Sequence, residues 1–309
     1  MSFGRAMLGT GPGALPSDAH TMGIDPMVLR DRQDEAIGVI KRLLAGEPRF
    51  SYDCEWFTLR DAALQILPYQ HRIPMSTASM VSPSGMTLAG KHGMGVLSIG
   101  SMSTEGLASL PLQWSFAEEA SAESGAVVDR SQWRIMFNFH LAETKEQAHR
   151  DVEHGLLQWH NDYNVGTLMR PGLEPMSSTA EAIEFYAEGE ASAGVIGTPD
   201  ELVQRIRDMY EVTGGFGVVM AFVNDWANPE AMFRSYDLLA RHVIPEIRGQ
   251  LAPMRESNVF VQENRDSFIR AGEAILSKIK ENDRAAAALA ETGIGTKTPI
   301  APHHAPAAD

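Results

Sequence analysis

The chain has 309 residues, of which 44% are hydrophobic, and a formal net charge of -14. This length can bury a large core, and an acidic chain without a Lys/Arg cluster lacks the basic surface that nucleic-acid binding requires. The single cysteine, Cys54, excludes an intrachain disulfide and a cysteine-rich zinc site, and we expect no metal centre. Neither a signal peptide nor a run of about 18 apolar residues is evident, so we expect a cytoplasmic protein without a membrane span.

Five short apolar segments have the pattern of strands that are buried on both faces. They lie at residues 5–9, 73–79, 95–99, 133–140 and 216–223. Longer amphipathic stretches predict helices at residues 30–44, 85–92, 107–124, 144–161, 198–210 and 229–247. Alternating strands and helices indicate parallel βαβ units in an α/β fold. About five units are visible, fewer than the eight of a closed (β/α)8 barrel.

The helix at 198–210 carries a complete start signal. Thr198 is placed at the N-cap, Pro199 at the first helical position and Glu201 where it completes a capping box. Farther along, residues 267–280 predict one more helix.

Three glycines, Gly9, Gly11 and Gly13, end the first predicted strand. A glycine lets backbone N–H groups approach a ligand that a Cβ would block. A tight turn after a strand also favours glycine, so a ligand-binding loop and a plain turn both fit. The spacing is not a dinucleotide fingerprint, because Pro12 and Pro16 interrupt the helix that such a motif requires.

A second cluster, Ser79, Ser82, Ser84 and Gly85, lies where a strand gives way to a helix. Hydroxyl and N–H groups at a helix start form a natural phosphate site, although capping serines give the same pattern. No basic residue lies inside this turn. Arg30, at the start of the helix after the glycine-rich loop, is the candidate cation, or else a solvated helix-start residue.

Two histidines are further candidates for acid–base chemistry. His140 ends the fourth predicted strand, and His160 lies in the helix after it. A single histidine is more often a structural residue than a catalytic one, and both interpretations stay open.

Taken in order, these segments resemble the bacterial luciferase-like family of flavin-dependent monooxygenases. The resemblance rests on G-R-x-x-L-G-x-G-P-G at residues 4–13, on ASMVSPSG with the following AGKHG and GVLSIG at residues 78–100, and on IGTPDELVQRI at residues 196–206. GPGALPSDAHTMGID, DEAIGVIKRLL and WFTLRDAALQILPYQ are similar to the limonene 1,2-monooxygenase-like subgroup. The resemblance covers roughly residues 3–250.

The resemblance implies a (β/α)8 TIM barrel with flavin at the C-terminal mouth of its strands. The implied phosphate-binding residues are Arg30, Ser82, Ser84 and Gly85. The implied neighbours of the flavin ring and ribityl chain are Gly13, Ala14, Ser79 and Val81. His20 is the implied catalytic residue, as a hydrogen-bond donor to the oxygenated flavin or the substrate.

The first strand here corresponds to the fourth strand of the family, so we expect an incomplete barrel of about five βα units. We assign residues 1–250 to the barrel, with an insertion at about 141–195 whose residues 167–193 are partly mobile. Residues 251–290 form a helical extension and residues 291–309 a disordered tail. We expect the missing strands to come from an N-terminal segment, or the chain to form a homo-oligomer.

The implied reaction uses reduced FMN and O2 to insert one oxygen atom into a small apolar substrate such as a terpene, alkene or aldehyde. A separate flavin reductase using NAD(P)H would supply the reduced flavin. Two alternatives remain: a deazaflavin-dependent oxidoreductase of the same fold, and a non-catalytic remnant that binds flavin weakly.

Overall fold

The computed structural model describes residues 2–13, 15–99, 104–170, 172–189, 192 and 194–292. The chain divides into two compact units, Met1–Ile247 and Arg248–Asp309. The first unit contains a parallel sheet with helices packed against it, and the described part of the second is helical.

Parallel strands form the sheet, and a separate antiparallel hairpin lies between the first two strands of the sheet in sequence. The strands are β1 (Leu8–Thr10), β2 (Phe50–Asp53), β3 (Thr58–Ala62), β4 (Met75–Ser79), β5 (Gly95–Ser98), β6 (Trp133–Leu141), β7 (Val195–Gly197) and β8 (Val218–Phe222). The order is β1-β4-β5-β6-β8, and β7 pairs with the C-terminal part of β6. All five predicted strands are present. Within the described residues the sheet is open, because β1 pairs only with β4 and β8 only with β6.

The α-helices are α1 (Pro16–Met22), α2 (Leu29–Leu44), α3 (Ser84–His92), α4 (Thr104–Ser124), α5 (Lys145–Val152), α6 (Leu156–Gln158), α7 (Thr179–Ile183), α8 (Pro199–Thr213), α9 (Pro229–Leu238), α10 (Ile244–Ile247), α11 (Ala252–Glu263), α12 (Arg265–Lys280) and α13 (Asp283–Thr292). π-helical segments follow α6, α7 and α9, at Trp159–Thr167, Glu184–Glu188 and Leu239–Val243.

The prediction of one helix over residues 144–161 is wrong. α5 and α6 are separated at Gly155, whose N–H donates to the Trp226 carbonyl over 2.9 Å instead of continuing the helix. After α6 the chain continues as the π-helix Trp159–Thr167. The weakly periodic residues 167–193 also contain α7 and a π-helix, which sequence periodicity does not reveal.

The sequence also fails to predict α1, because Pro12 and Pro16 suggest a broken helix. Pro16 is the first residue of α1, where its missing N–H has no partner to lose. Gly23, with φ +65°, ends the helix in the left-handed conformation. His20 therefore lies in a helix.

The main core lies between one face of the sheet and the helices α3, α4 and α8. Alternate residues of β6, from Trp133 to Leu141, point into this core, as the two-residue period of a strand requires. Trp133 stacks on Trp114 of α4 with ring centroids 5.1 Å apart, and both are almost fully buried. Burial of such side chains, worth roughly 1.5–3 kcal/mol or more each, holds the helices on the sheet.

Helix α3 approaches its neighbours through two glycines. A Cβ on Gly85 would overlap the Ala78 carbonyl oxygen of β4 and lie 2.9 Å from the Ser79 Cα. A Cβ on Gly90 would overlap the Ala117 carbonyl oxygen of α4. These contacts fix α3 between β4 and α4.

His140 belongs to a buried ionic network. Its Nε2 lies 3.2 Å from Asp151 Oδ2, and Arg234 donates to the same oxygen over 2.7 Å. Burial lowers the pKa of His140 and outweighs the opposing attraction of Asp151. The network joins β6 to α5 and α9, which favours the structural interpretation of His140.

His160 is also fully buried. Its Nε2 lies 2.9 Å from the Glu174 carbonyl oxygen, and its Nδ1 lies 2.7 Å from the Tyr186 hydroxyl. Because a carbonyl oxygen only accepts, Nε2 is the donor and Nδ1 accepts from Tyr186. The contact with Tyr186 joins the two π-helices of the insertion, and the contact with Glu174 holds the chain between them.

The capping box predicted at Thr198 is confirmed. The Thr198 N–H donates to Glu201 Oε2 over 2.6 Å, and the Glu201 N–H donates to Thr198 Oγ1 over 3.4 Å. In the second unit, the helix predicted at 267–280 lies within α12, whereas α11 and α13 have no individual prediction within the expected helical extension. The predicted tail lies outside the described residues from residue 293 onward. Among the described residues, no helix has the length and apolar character needed to cross a bilayer.

The close contact at Gly90 predicts a large loss of stability on Gly90→Ala. The added methyl group must displace the α4 backbone, and overpacking of this kind costs roughly 1–3 kcal/mol. Gly38 of α2 is the matched control, because a Cβ there meets only His92 Cε1 at 4.0 Å. Urea unfolding should show a clear loss in the free energy of unfolding for Gly90→Ala and none for Gly38→Ala. Equal unfolding midpoints for the two variants would contradict the close packing of α3 on α4.

The buried network predicts a pH-dependent stability. Because the folded pKa of His140 lies below its unfolded value of 6.5, the unfolded chain binds a proton more readily. Stability is therefore lost as pH falls from about 6.5 toward the folded pKa. Between pH 7 and 5.5, the free energy of unfolding should fall less in His140→Asn than in the parent. The control is His154→Asn, at an exposed histidine; the same pH dependence in His140→Asn as in the parent contradicts this account.

Candidate active site

A cavity of about 380 Å³ lies between the start of α2 and the loop that joins β4 to α3. Its lining includes Arg30, Ser82, Ser84, Gly85 and Pro12. The structure therefore brings the four residues expected to hold a phosphate to one place. They lie beyond the C-terminal end of β4, the end of a parallel strand where α/β folds bind ligands.

The start of α3 is suited to an anion. Among the described residues no side chain caps this helix end. The first N–H groups of α3 have no partners within the helix and carry partial positive charge. The hydroxyls of Ser82 and Ser84 lie 2.8 Å apart at the same place, and the exposed Arg30 faces the cavity from α2. Hydroxyl, N–H and guanidinium donors are the partners that phosphate prefers. The residues present thus fit the phosphate of a flavin nucleotide.

Gln113 of α4 holds the backbone of this loop, and no pattern in the sequence identifies it as a candidate. Its Nε2 donates to the Val81 carbonyl over 2.8 Å, and its Oε1 accepts from Ser79 Oγ over 3.3 Å. Gln113 and Ser79 are almost fully buried, whereas the side chains of Met80 and Val81 are exposed. The loop therefore presents apolar side chains outward from a fixed backbone.

The remaining predicted residues lie elsewhere on the glycine-rich segment. Gly13 has φ +87°, which favours glycine, and is exposed. His20 is exposed on α1, and Ala14 lies outside the described residues. Gly13 and His20 are not among the described residues that line the cavity, so their contacts with a flavin stay predictions.

Lys91 of α3 is a second cation at the cavity, and it was not expected. Its Nζ donates to Asp34 Oδ2 over 2.6 Å, and Asp34 Oδ1 accepts from His92 Nε2 over 2.6 Å. Partial burial raises the pKa of Asp34, but the hydrogen bonds from Lys91 and His92 outweigh it and leave this pKa below its usual value. The helical spacing of seven residues from Ser84 to Lys91 was the available signal.

Helix α2 is fixed to the sheet beside the cavity by Gln33. Its Nε2 donates to Thr10 Oγ1 over 3.3 Å and to Thr77 Oγ1 over 3.2 Å. These bonds connect the helix that carries Arg30 to the end of β1 and the middle of β4. The relative position of Arg30 and the serine loop is therefore set by polar contacts as well as by packing.

A buried amide pair lies near the C-terminal ends of β6 and β8. Asn224 Nδ2 donates to Asn138 Oδ1 over 3.4 Å, and both residues are almost fully buried. Asn224 Oδ1 has no hydrogen-bond partner within the described part of the chain. The pair places two buried amide groups at the same end of the parallel sheet as the serine loop.

Comparison with known proteins agrees with this architecture. The profile of the luciferase-like monooxygenase family matches residues 1–215. Limonene 1,2-monooxygenase of Rhodococcus erythropolis is 39% identical over 270 residues, which cover 86% of this chain and 67% of that protein. The 4-hydroxyprotoasukamycin monooxygenase of Streptomyces nodosus subsp. asukaensis is 39% identical over 267 residues, 85% of this chain and 71% of the relative.

A solved structure shows the same fold. The oxygenating constituent of 3,6-diketocamphane monooxygenase from Pseudomonas putida, a type II Baeyer-Villiger enzyme in complex with FMN, matches with a TM-score of 0.59 and 24% identity. The match covers 77% of this chain and 70% of that one. The predicted (β/α)8 type, with an open sheet in the described residues, is thereby confirmed. The chain belongs to the luciferase-like monooxygenase family and is an oxidoreductase.

Proposed function

We propose that this protein binds FMN with its phosphate in the cavity between α2 and α3, and that it inserts one oxygen atom from O2 into a small apolar substrate. The proposal rests on one observation: Arg30, Ser82 and Ser84 line the same cavity at the start of α3, which no described side chain caps. When bound, reduced FMN would supply the electrons that activate O2. A separate flavin reductase using NAD(P)H would deliver the reduced flavin.

The chain's own residues bind and orient the cofactor. Arg30 and the serine loop anchor the phosphate at one end. Gly11 lies beside β4, where a Cβ on it would meet the Ala78 Cβ at an ordinary contact distance of 3.9 Å. Small residues at these two positions suit a flat ring that lies across the ends of β1 and β4. Gln113 keeps the backbone of the serine loop in place.

The substrate that this site favours is apolar. Met80 and Val81, next to the serine loop, expose 45% and 44% of their surface. A flexible methionine adapts to apolar molecules of different shapes. The relative named for limonene is consistent with a terpene, and an alkene or aldehyde has the same apolar character. His20 would donate a hydrogen bond near the reacting atoms.

Further strands complete the sheet in this proposal. β1 and β8 each have one pairing partner in the described chain, and such edges present unpaired N–H and C=O groups. We assign residues 1–250 to the flavin-binding unit and residues 251–290 to a helical extension, followed by a tail at 291–309. Additional strands from another segment, or association with a second copy, would cover the two edges.

The phosphate site predicts a specific loss on Arg30→Ala. A charge-assisted hydrogen bond contributes roughly 1.5–3 kcal/mol. Because Arg30 is exposed, we expect the lower value of this range, which corresponds to about a tenfold change in affinity. Titration followed by flavin fluorescence should show FMN binding weakened about tenfold. Arg241→Ala, which removes an exposed arginine paired with Asp237 on α9, is the control and should bind FMN normally. Unchanged FMN affinity in Arg30→Ala would remove Arg30 from the site.

Turnover tests the reaction itself. With FMN, NADH, a flavin reductase, isotopically labelled O2 and limonene, we expect a product that carries one labelled oxygen atom. His20→Ala should give less product and more hydrogen peroxide per NADH consumed, with FMN affinity nearly unchanged. His154→Ala, at an exposed histidine on the same unit, is the control. If His20→Ala and His154→Ala form the same amount of product per NADH consumed, the role of His20 is ruled out. A bound cofactor with the absorbance of a deazaflavin would contradict the proposal as a whole.

A further inference from the structure

The cavity contains a cation that is already paired with an acid of the same protein. Lys91 Nζ lies 2.6 Å from Asp34 Oδ2, and both residues line the cavity together with Ser84. The Lys91 side chain is 54% exposed and that of Asp34 is 33% exposed. Exposed ion pairs of this kind contribute little stability and exchange partners readily.

We propose that Lys91 leaves Asp34 when a phosphorylated flavin binds and becomes the second cation on its phosphate. The inference rests on the proposed phosphate site and adds to it a partner exchange between an acid of the protein and the ligand. Its consequence is selectivity: the phosphorylated flavin competes successfully for Lys91, whereas riboflavin, which has no phosphate, leaves the ion pair intact.

The geometry of α3 permits the exchange. Ser84, Thr87 and Lys91 are spaced by three and seven residues, so they share one face of the helix, and all three line the cavity. Seven residues span about 10 Å along a helix. Side chains slope toward the N-terminus of their helix, and lysine has a long flexible stem. Lys91 can therefore reach back toward the helix start where the phosphate would lie.

Asp34 keeps His92 as a hydrogen-bond partner when Lys91 leaves. Its Nε2 donates to Asp34 Oδ1 over 2.6 Å, on the oxygen that Lys91 does not use. The His92 side chain is only 12% exposed and is less free to move than Lys91. After the exchange, Asp34 keeps one hydrogen-bond partner. A phosphate without Lys91 would instead face Asp34 and Asp31, which also lines the cavity.

The test compares FMN with riboflavin on the full chain, by fluorescence titration, and takes the ratio of their dissociation constants as the FMN preference. Lys91→Met keeps the apolar stem and removes the charge, so it should lower this preference about tenfold while leaving riboflavin affinity unchanged. Lys145→Met is the matched control, because Lys145 is 45% exposed and pairs with Glu188 at 2.8 Å on α5. It should retain the parental preference.

The second part of the test changes Asp34, which competes with the phosphate for Lys91. Asp34→Asn should raise the FMN preference severalfold by releasing Lys91, whereas Asp237→Asn, at an exposed acid paired with Arg241, should not. In the double variant Lys91→Met/Asp34→Asn the gain should disappear, because no lysine remains to be released.

Each result has a definite meaning. A Lys91→Met variant that matches Lys145→Met overturns the inference, and so does an Asp34→Asn gain that persists without Lys91. If the parent binds riboflavin as tightly as FMN, the phosphate site itself is wrong, and the inference falls with it. If the parent prefers FMN and Arg30→Ala lowers that preference while Lys91→Met does not, the proposed function stands and only the exchange is rejected.

Discussion

The candidate site depends on how closely α3 lies against β4. Gly85 lets the first turn of the helix rest on the Ala78 carbonyl, and Gly90 lets the last turn rest on α4. A longer side chain at either position would push the helix outward. The uncapped helix start would then no longer lie beside Arg30. Gln113 reinforces the arrangement, because it comes from α4 and bonds to the Val81 carbonyl and the Ser79 hydroxyl.

This placement gives a strongly acidic protein a local cluster of cations and N–H donors, where we propose that the phosphate binds. Net charge is -14, yet the helix N-terminus, Arg30 and Lys91 meet at one cavity. In the proposed binding, these short-range donors outweigh the net charge, because charges beyond about 8–10 Å are largely screened at physiological salt. The exposed apolar residues beside the loop, Met80 and Val81, then provide a surface of opposite character next to the anion site. A cofactor with a charged tail and a flat ring suits both parts.

The sequence was informative where structure depends on local pattern. The five strands are continuous apolar runs, and Ser82, Ser84 and Gly85 lie in a recognisable strand-to-helix turn. It was uninformative where structure depends on packing between elements. Gln113 acquires its role only because α4 lies beside β4, and Lys91 pairs with Asp34 only because α2 lies beside α3. The break at Gly155 likewise follows from contact with a backbone carbonyl more than 70 residues away.

The most direct test is a crystal structure of the protein with FMN. The phosphate oxygens should lie within hydrogen-bonding distance, about 3 Å, of the Ser84 hydroxyl, the first N–H groups of α3 and the Arg30 guanidinium. The ring should extend from there across the ends of β1 and β4. A phosphate found elsewhere, such as in the cavity beside Trp56 between α2 and the β2–β3 hairpin, would contradict the account.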